Sequence, residues 1–185
     1  MQVHTEYPSN CIMQVYFIQW AYMAKSKTDS RQSGCPVAFT LDIIGDKWSL
    51  LIIRDMILRG RRYFGEFLEA DEKIATNILT DRLKKLEDCG IITKTQNPEH
   101  QKKHIYELTP KGVSLIPVIL EIILWGAKND PDTTTPKELF QRLNKDKAKF
   151  TQEIIKAVKN HQPALSCLSS IRRWNAQPCA QAGRR

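Results

Sequence analysis

Residues 64–108 read FGEFLEADEKIATNILTDRLKKLEDCGIITKTQNPEHQKKHIYEL, and the order of signals in this stretch decides the fold. Phe64, Phe67 and Leu68 recur at helical spacing over Phe64–Ala70, and Asp71-Glu72-Lys73 reads as a turn. A second helix spans about Thr76–Asp88, with Leu79, Leu83 and Leu86 as its apolar stripe and Gly90 closing it. Ile91–Thr95 and Ile105–Leu108 are β-prone and flank the polar segment Gln96–His104, which predicts a hairpin with a long tip. Helix, turn, helix and basic hairpin make a winged helix-turn-helix, a shape that can place one helix in the DNA major groove.

The flanking segments predict further helices. Pro36 suits a first helical position, which makes Cys35 the N-cap of a helix running to about Ile44 and stopped by Gly45. Asp46 then caps Lys47–Leu58, with Trp48, Leu51, Ile52, Met56 and Leu58 near one face and Gly60 at its end. Thr109-Pro110 opens a helix to about Lys128, kinked or truly begun at Pro117. Pro131–Thr134 is a linker. Thr135-Pro136-Lys137-Glu138 reads as a capping box for one long helix, Pro136–Asn160, with Leu139, Leu143, Phe150, Ile154 and Val158 on its apolar face. The expected class is mainly α with a small antiparallel β-hairpin: a winged helix-turn-helix with flanking dimerisation helices.

Four segments follow. Residues 1–34 are an N-terminal extension. Met23-Ala24-Lys25-Ser26-Lys27 reads like a protein start, so residues 1–22 are expected either upstream of the biological start or as a helix packed on the body. Residues 35–128 form the winged DNA-binding and dimerisation domain, 129–160 a linker and amphipathic helix, and 161–185 a flexible tail.

Composition narrows the function. With 185 residues, 42% hydrophobic, 8 Gly and 9 Pro, the chain is neither disordered throughout nor collagenous. Lys and Arg total 28 against 20 Asp and Glu, a net charge of +8 that favours anionic partners. The excess is uneven: 3 basic and 3 acidic side chains in residues 1–45, 13 and 11 in 46–112, 12 and 6 in 113–185. The five cysteines (11, 35, 89, 167 and 179) lack zinc or thioredoxin spacing and read as reduced thiols of a cytoplasmic protein. The apolar run Cys11–Met23 is shorter than the roughly 20 residues that cross a bilayer, so no membrane partner is expected. No phosphate loop, metal set or nucleophile–base pair is visible, so the expectation is no enzyme, no cofactor and no metal. His100 and His104 have metal-pair spacing, but they sit among lysines in a loop.

Opposite the leucine stripe, the helix at 76–88 presents Asn77, Thr80, Asp81, Lys84 and Asp88, with Thr76 and Lys85 on its flanks. Asn77 suits a bidentate pair to adenine, while Thr76 and Thr80 suit bases or phosphate. Lys84 and Lys85 suit phosphate, Arg82 is counted with the DNA-binding residues, and Asp81 orients Lys84, Lys85 or Arg82 or reads a cytosine amine. At the wing, His100, Lys102 and Lys103 extend the basic surface. Arg61 and Arg62 either clamp phosphate or cap a helix end. Leu115–Trp125 is apolar nearly all round, so Leu115, Ile119, Ile122, Ile123 and Trp125, with Phe150 and Ile154, are the expected homodimer interface. In the alternative, the last helix folds back within one subunit.

Cys35-Pro36-Val37, Leu41–Trp48, Ile74–Ile92, Tyr106–Gly112 and Trp125-Gly126 together resemble the HxlR-type transcriptional regulators, winged-helix proteins of the MarR-like superfamily. Ala75 stands where that family often has a serine cap, and Tyr63 where it has Phe. The resemblance, over about residues 35–128, implies a dimeric bacterial regulator on double-stranded DNA with a pseudopalindromic operator. It also implies Cys35 as a sensor of oxidants or electrophiles, against a plain N-cap role; the effector is open. The competing function is a winged-helix module whose basic wing meets an acidic protein.

Overall fold

The computed structural model describes residues 34–163. The N-terminal extension to residue 33 and the tail from 164 onward, with Cys11, Cys167 and Cys179, lie outside the described residues. The chain divides at Phe39/Thr40 into two units. Of the first, residues 34–39 open helix α1, Pro36–Ile44.

Helix α2, Lys47–Arg54, starts at Asp46, whose carboxylate accepts from the Ser49 N–H at 2.9 Å and the Ser49 hydroxyl at 2.6 Å. The expected helix to Leu58 does not stay α-helical. Its last turn, Asp55–Arg59, widens to a π-helical turn and ends at Gly60 with φ 68°. A left-handed φ of that size favours a residue without Cβ. The buried face also differs from the expectation. Ile53 and Ile57 are fully buried with Ile52, Met56 and Leu58, whereas Trp48 and Leu51 are half-buried.

Helices α3 (Phe64–Leu68) and α4 (Thr76–Asp88) follow, and Leu79, Leu83 and Leu86 of α4 are buried as the periodicity predicts. Strands β1 (Ile92–Gln96) and β2 (His104–Leu108) pair antiparallel with Ile92 opposite Leu108 and Gln96 opposite His104. An isolated bridge between Tyr63 and Ile105 adds a short third edge, closed by Tyr106 N–H donating to the Arg62 carbonyl at 2.8 Å.

Thr109 caps the one-turn helix α5, Pro110–Val113, and Pro117 sits in the first turn of α6, Ile116–Asn129. Gly112 is required by close approach, since a Cβ there would lie 2.2 Å from the Ile91 carbonyl oxygen. Pro110–Asn129 is long and apolar enough to cross a membrane by length and composition, with about a fifth of its apolar window buried.

The expected single helix over 136–160 is two, α7 (Lys137–Lys145) and α8 (Lys147–Lys159). They break at Asp146, whose side chain turns back to accept from the Lys149 N–H at 3.0 Å. A side chain that can cap a new helix competes with continuing the old one. The Thr135 hydroxyl bonds Thr133 at 2.9 Å rather than capping α7. Both helices fold back on α6: Leu139, Leu143, Phe150 and Ile154 are buried in the same core as Ile116, Ile119 and Leu120.

One buried carboxylate ties the front of this core together. Asp55 is 2% exposed. It accepts from Arg54 at 2.7 and 2.8 Å and from Arg61 at 2.7 Å. Removing one partner from a buried ion network leaves uncompensated charge. We therefore expect Asp55→Ala to destabilise the protein by about 3–5 kcal/mol in urea unfolding. A loss below about 1 kcal/mol, the range of exposed pairs, would contradict the role given to Asp55.

Candidate nucleic-acid interface

The segment between the two helix-turn-helix helices is held from behind. Arg54 reaches over it and forks onto Glu72, 2.6 Å to Oε1 and 3.2 Å to Oε2, while Arg59 meets Asp71 at 3.2 Å. Two arginines of the α2 end thus grip the turn that leads into α4. Burial pushes the Glu72 carboxyl up, but the hydrogen bonds and charge of Arg54 outweigh it and hold the group below the usual carboxylate range. The Arg54 guanidinium is correspondingly raised, since its pairs with Glu72 and Asp55 outweigh its own burial.

With its leucines inward, α4 turns Thr76, Asn77, Thr80, Asp81 and Lys84 to solvent. No side chain caps its N-terminus at Ala75. The Thr80 hydroxyl donates back to the Thr76 carbonyl at 2.9 Å. Arg82 and Lys85 are placed differently. Both reach the Asp46 carboxylate, at 3.0 and 3.6 Å, and Arg82 also holds Asp81 at 2.8 Å. Burial opposes ionisation of Asp46, yet its Ser49 bonds and these two cations keep its carboxyl low. Arg82 and Lys85 therefore fasten α4 to the start of α2.

The arginines before α3 are also engaged inside the chain. Arg61 belongs to the Asp55 network, and Arg62 pairs with Glu107 of β2. Of the two readings the sequence leaves open for them, the structure places both in internal pairs rather than free for phosphate. Glu66, at the third position of α3, accepts from the Arg62 and Tyr63 N–H groups at 2.7 and 3.0 Å.

The wing tip is an organised turn. Asn97 is 7% exposed and central to it: its N–H donates to Lys103 O at 2.9 Å, its side-chain oxygen accepts from Glu99 N–H at 2.8 Å, and its amide donates to the Tyr63 hydroxyl at 3.3 Å. Around this anchor His100, Lys102 and Lys103 are exposed. Tyr106, under the wing, has its hydroxyl pushed up by burial and by the Glu87 charge.

Sequence reading missed Asp55, Asn97 and Glu107. Asp55 had a signal: one carboxylate inside an apolar helix with Arg54, Arg59 and Arg61 close by. Asn97-Pro98 is a turn dipeptide. Glu107 carried no mark in the sequence. The expected dimer residues also separate. Ile119, Phe150 and Ile154 are buried in the chain's own core, which corrects their assignment to a partner surface. The fold-back of α7 and α8 covers them. Leu115 and Ile123 are half-buried, whereas Val118, Ile122 and Trp125 stay exposed at 41%, 46% and 70%.

Residues 43–134 match the family model described as HxlR-like helix-turn-helix. The chain is 38% identical over 98 residues to the uncharacterized HTH-type transcriptional regulator YybR of Bacillus subtilis (strain 168), covering 53% of this chain and 78% of that protein. It is 41% identical over 95 residues to YdeP of the same organism, covering 51% and 73%. Among solved structures, PA1607, a candidate transcription factor, superposes with a TM-score of 0.53 at 38% identity, covering 59% of this chain and 76% of that one.

Glu72 and Asp46 set the sign of an acid response. A carboxyl whose folded value is depressed stabilises the fold above its unfolded value, about 4, and loses that contribution as pH falls through the folded value. Stability should therefore fall on acidification below about pH 4. Glu72→Gln should lower stability at neutral pH and flatten that descent in denaturant titrations. Parallel profiles for wild type and Glu72→Gln would remove the Arg54–Glu72 tie from the account.

Proposed function

The chain belongs to the HxlR-like helix-turn-helix family and is a transcriptional regulator of winged-helix fold; from that premise we propose that it acts as a homodimer on a pseudopalindromic DNA operator. The observation that carries this reading is the exposed face of α4. Thr76, Asn77, Thr80 and Lys84 face solvent on a helix whose opposite side is locked by three buried leucines and by Asp46.

In this reading α4 enters the major groove with its N-terminal residues on base edges. Asn77 reads adenine, Thr76 and Thr80 contact bases or phosphate, and Lys84 holds the backbone. Lys85 and Arg82 set the helix angle through Asp46 and meet phosphate only from its flank. His100, Lys102 and Lys103 reach the neighbouring backbone from the wing. Arg61 and Arg62 act by positioning, through Asp55 and Glu107. Cys35, exposed at the start of α1, is the thiol placed to register an oxidant or electrophile. The site of action is the cytoplasm.

Support for the dimer comes from Val118, Ile122 and Trp125, spaced at four and three residues along α6 and exposed among the described residues. Covering such a stripe releases roughly 1.5–3 kcal/mol for each large side chain fully buried. A second copy related by a twofold axis covers it with its equivalent and sets two α4 helices about 34 Å apart.

Three variants test the reading. In binding assays on the promoter DNA recovered by genomic footprinting, Asn77→Ala should cost about 1–3 kcal/mol and relax base preference at one position per half-site. Lys103→Ala should weaken binding to every sequence and lower the salt slope by about one unit. An unchanged slope would remove the wing from the interface. Separately, Trp125→Glu should shift the protein toward monomer in sedimentation and weaken operator binding in step. A monomeric wild type would overturn the twofold arrangement.

A further inference from the structure

The charge of this chain is not where the winged domain is. Residues 43–134, the family-matched part, hold 14 basic and 14 acidic side chains and are formally neutral. Residues 1–42 hold 3 and 3. Residues 135–185 hold 11 and 3, so the whole net charge of +8 resides beyond the matched domain.

The structure shows what that charge does locally. The acidic side chains of α8 and of the break before it have internal partners. Asp146 accepts from the Lys149 N–H, and Glu153 binds Arg142 at 2.5 Å. Arg142 also lies over the Phe150 ring, and Lys147 pairs with Glu121 of α6. Lys149, Lys156 and Lys159 are different. All three are exposed, they lie with Gln152 at spacings of three and four along α8, and they make no ion pair among the described residues. The apolar side of the helix is spent on the core through Phe150 and Ile154. What remains outward is a lysine face, and the one carboxylate of α8, Glu153, is held by Arg142.

The end of that helix lands on the wing. His161 Nδ1 lies 3.1 Å from Glu107 of β2, the carboxylate that also holds Arg62. Lys159 lines a cleft of about 310 Å³ together with Arg62, Tyr106 and Glu107. The basic extension is therefore continuous with the root of the element read here as a DNA contact. Beyond it, residues 164–185 add Arg172, Arg173, Arg184 and Arg185 and no acidic residue.

We propose that the C-terminal extension, through Lys149, Lys156 and Lys159 of α8, is a second, sequence-independent contact to the phosphate backbone of duplex DNA beside the wing. The proposal rests on the DNA-binding reading above. Its physical basis is that affinity for DNA is dominated by phosphate neutralisation and counterion release, which a neutral winged domain supplies poorly. Base contacts on α4 provide the choice of site, and the extension provides hold.

The test uses the full chain and a random-sequence duplex about three helical turns long, with the logarithm of the binding constant followed against that of salt concentration. Lys149→Gln, Lys156→Gln and Lys159→Gln together should lower the slope by about two to three units. Footprinted promoter DNA should lose affinity by the same factor as the random duplex. Asn77→Ala should do the reverse, changing the ratio of the two and not the slope. If wild type binds and the lysine variant keeps its slope, the extension is not a DNA contact while the α4 reading stands. Wild type without affinity for either duplex would end both. A lysine variant that loses only binding to phosphatidylserine vesicles would assign the face to anionic lipid and overturn the proposal.

Discussion

The Asp55 carboxylate is the constraint on which the geometry of the helix-turn-helix depends. It is buried where α2 widens into a π-helical turn, and it gathers Arg54 and Arg61 onto one point. Arg54 then spans from Asp55 to Glu72, and Arg59 reaches Asp71. A buried ion network of this kind adds little net stability over an apolar core of the same volume, but it penalises every arrangement that leaves a member unpaired. What it confers on this fold is therefore angle rather than energy: the turn ahead of α4 has one position relative to α2. Asp46 repeats the logic at the other end of α2, where it caps that helix and takes Arg82 and Lys85 from α4. A helix fixed at its entry and along its flank presents four small or flexible polar side chains in a defined orientation.

The arginines around the helix-turn-helix consequently differ in task from most of the lysines, Lys85 and Lys147 being paired within the chain. Arg54, Arg59, Arg61, Arg62 and Arg82 all pair with carboxylates inside the chain, as suits a planar fork that binds them with directional hydrogen bonds. Lys84, Lys102, Lys103, Lys149, Lys156 and Lys159 stay in water. A basic residue near a helix-turn-helix is thus a poor guide to DNA contact by itself. What its neighbours already offer it decides its role.

Much of the architecture was legible beforehand because it rests on local rules. Asp46 and Thr109 cap the helices their positions imply, Gly60 ends its turn with positive φ, and Leu79, Leu83 and Leu86 face the core. The hairpin stands within one residue of its expected strands. The exposed half of α4 follows from the same leucine stripe, so Asn77 and Thr80 could be placed outward without coordinates. Where reading failed, a nonlocal partner had won. Phe150 and Ile154 show helical periodicity whichever surface they cover, and only the break at Asp146 folds them onto α6. Arg62 looks like a phosphate ligand until Glu107, 45 residues away, is set beside it.

The sequence by itself determined the helix-turn-helix and hairpin in their order, the buried leucine stripe of α4 and the family to which the chain belongs. Caps, glycines and periodic leucines act within a few residues, and they need no knowledge of the rest of the chain. The tertiary structure alone decided which charges are spent internally, which side of α6 remains apolar and open, and where the basic end of α8 comes to rest. Those outcomes depend on contacts between residues far apart in sequence, whose pairing is set by packing and by the cost of leaving a buried charge alone.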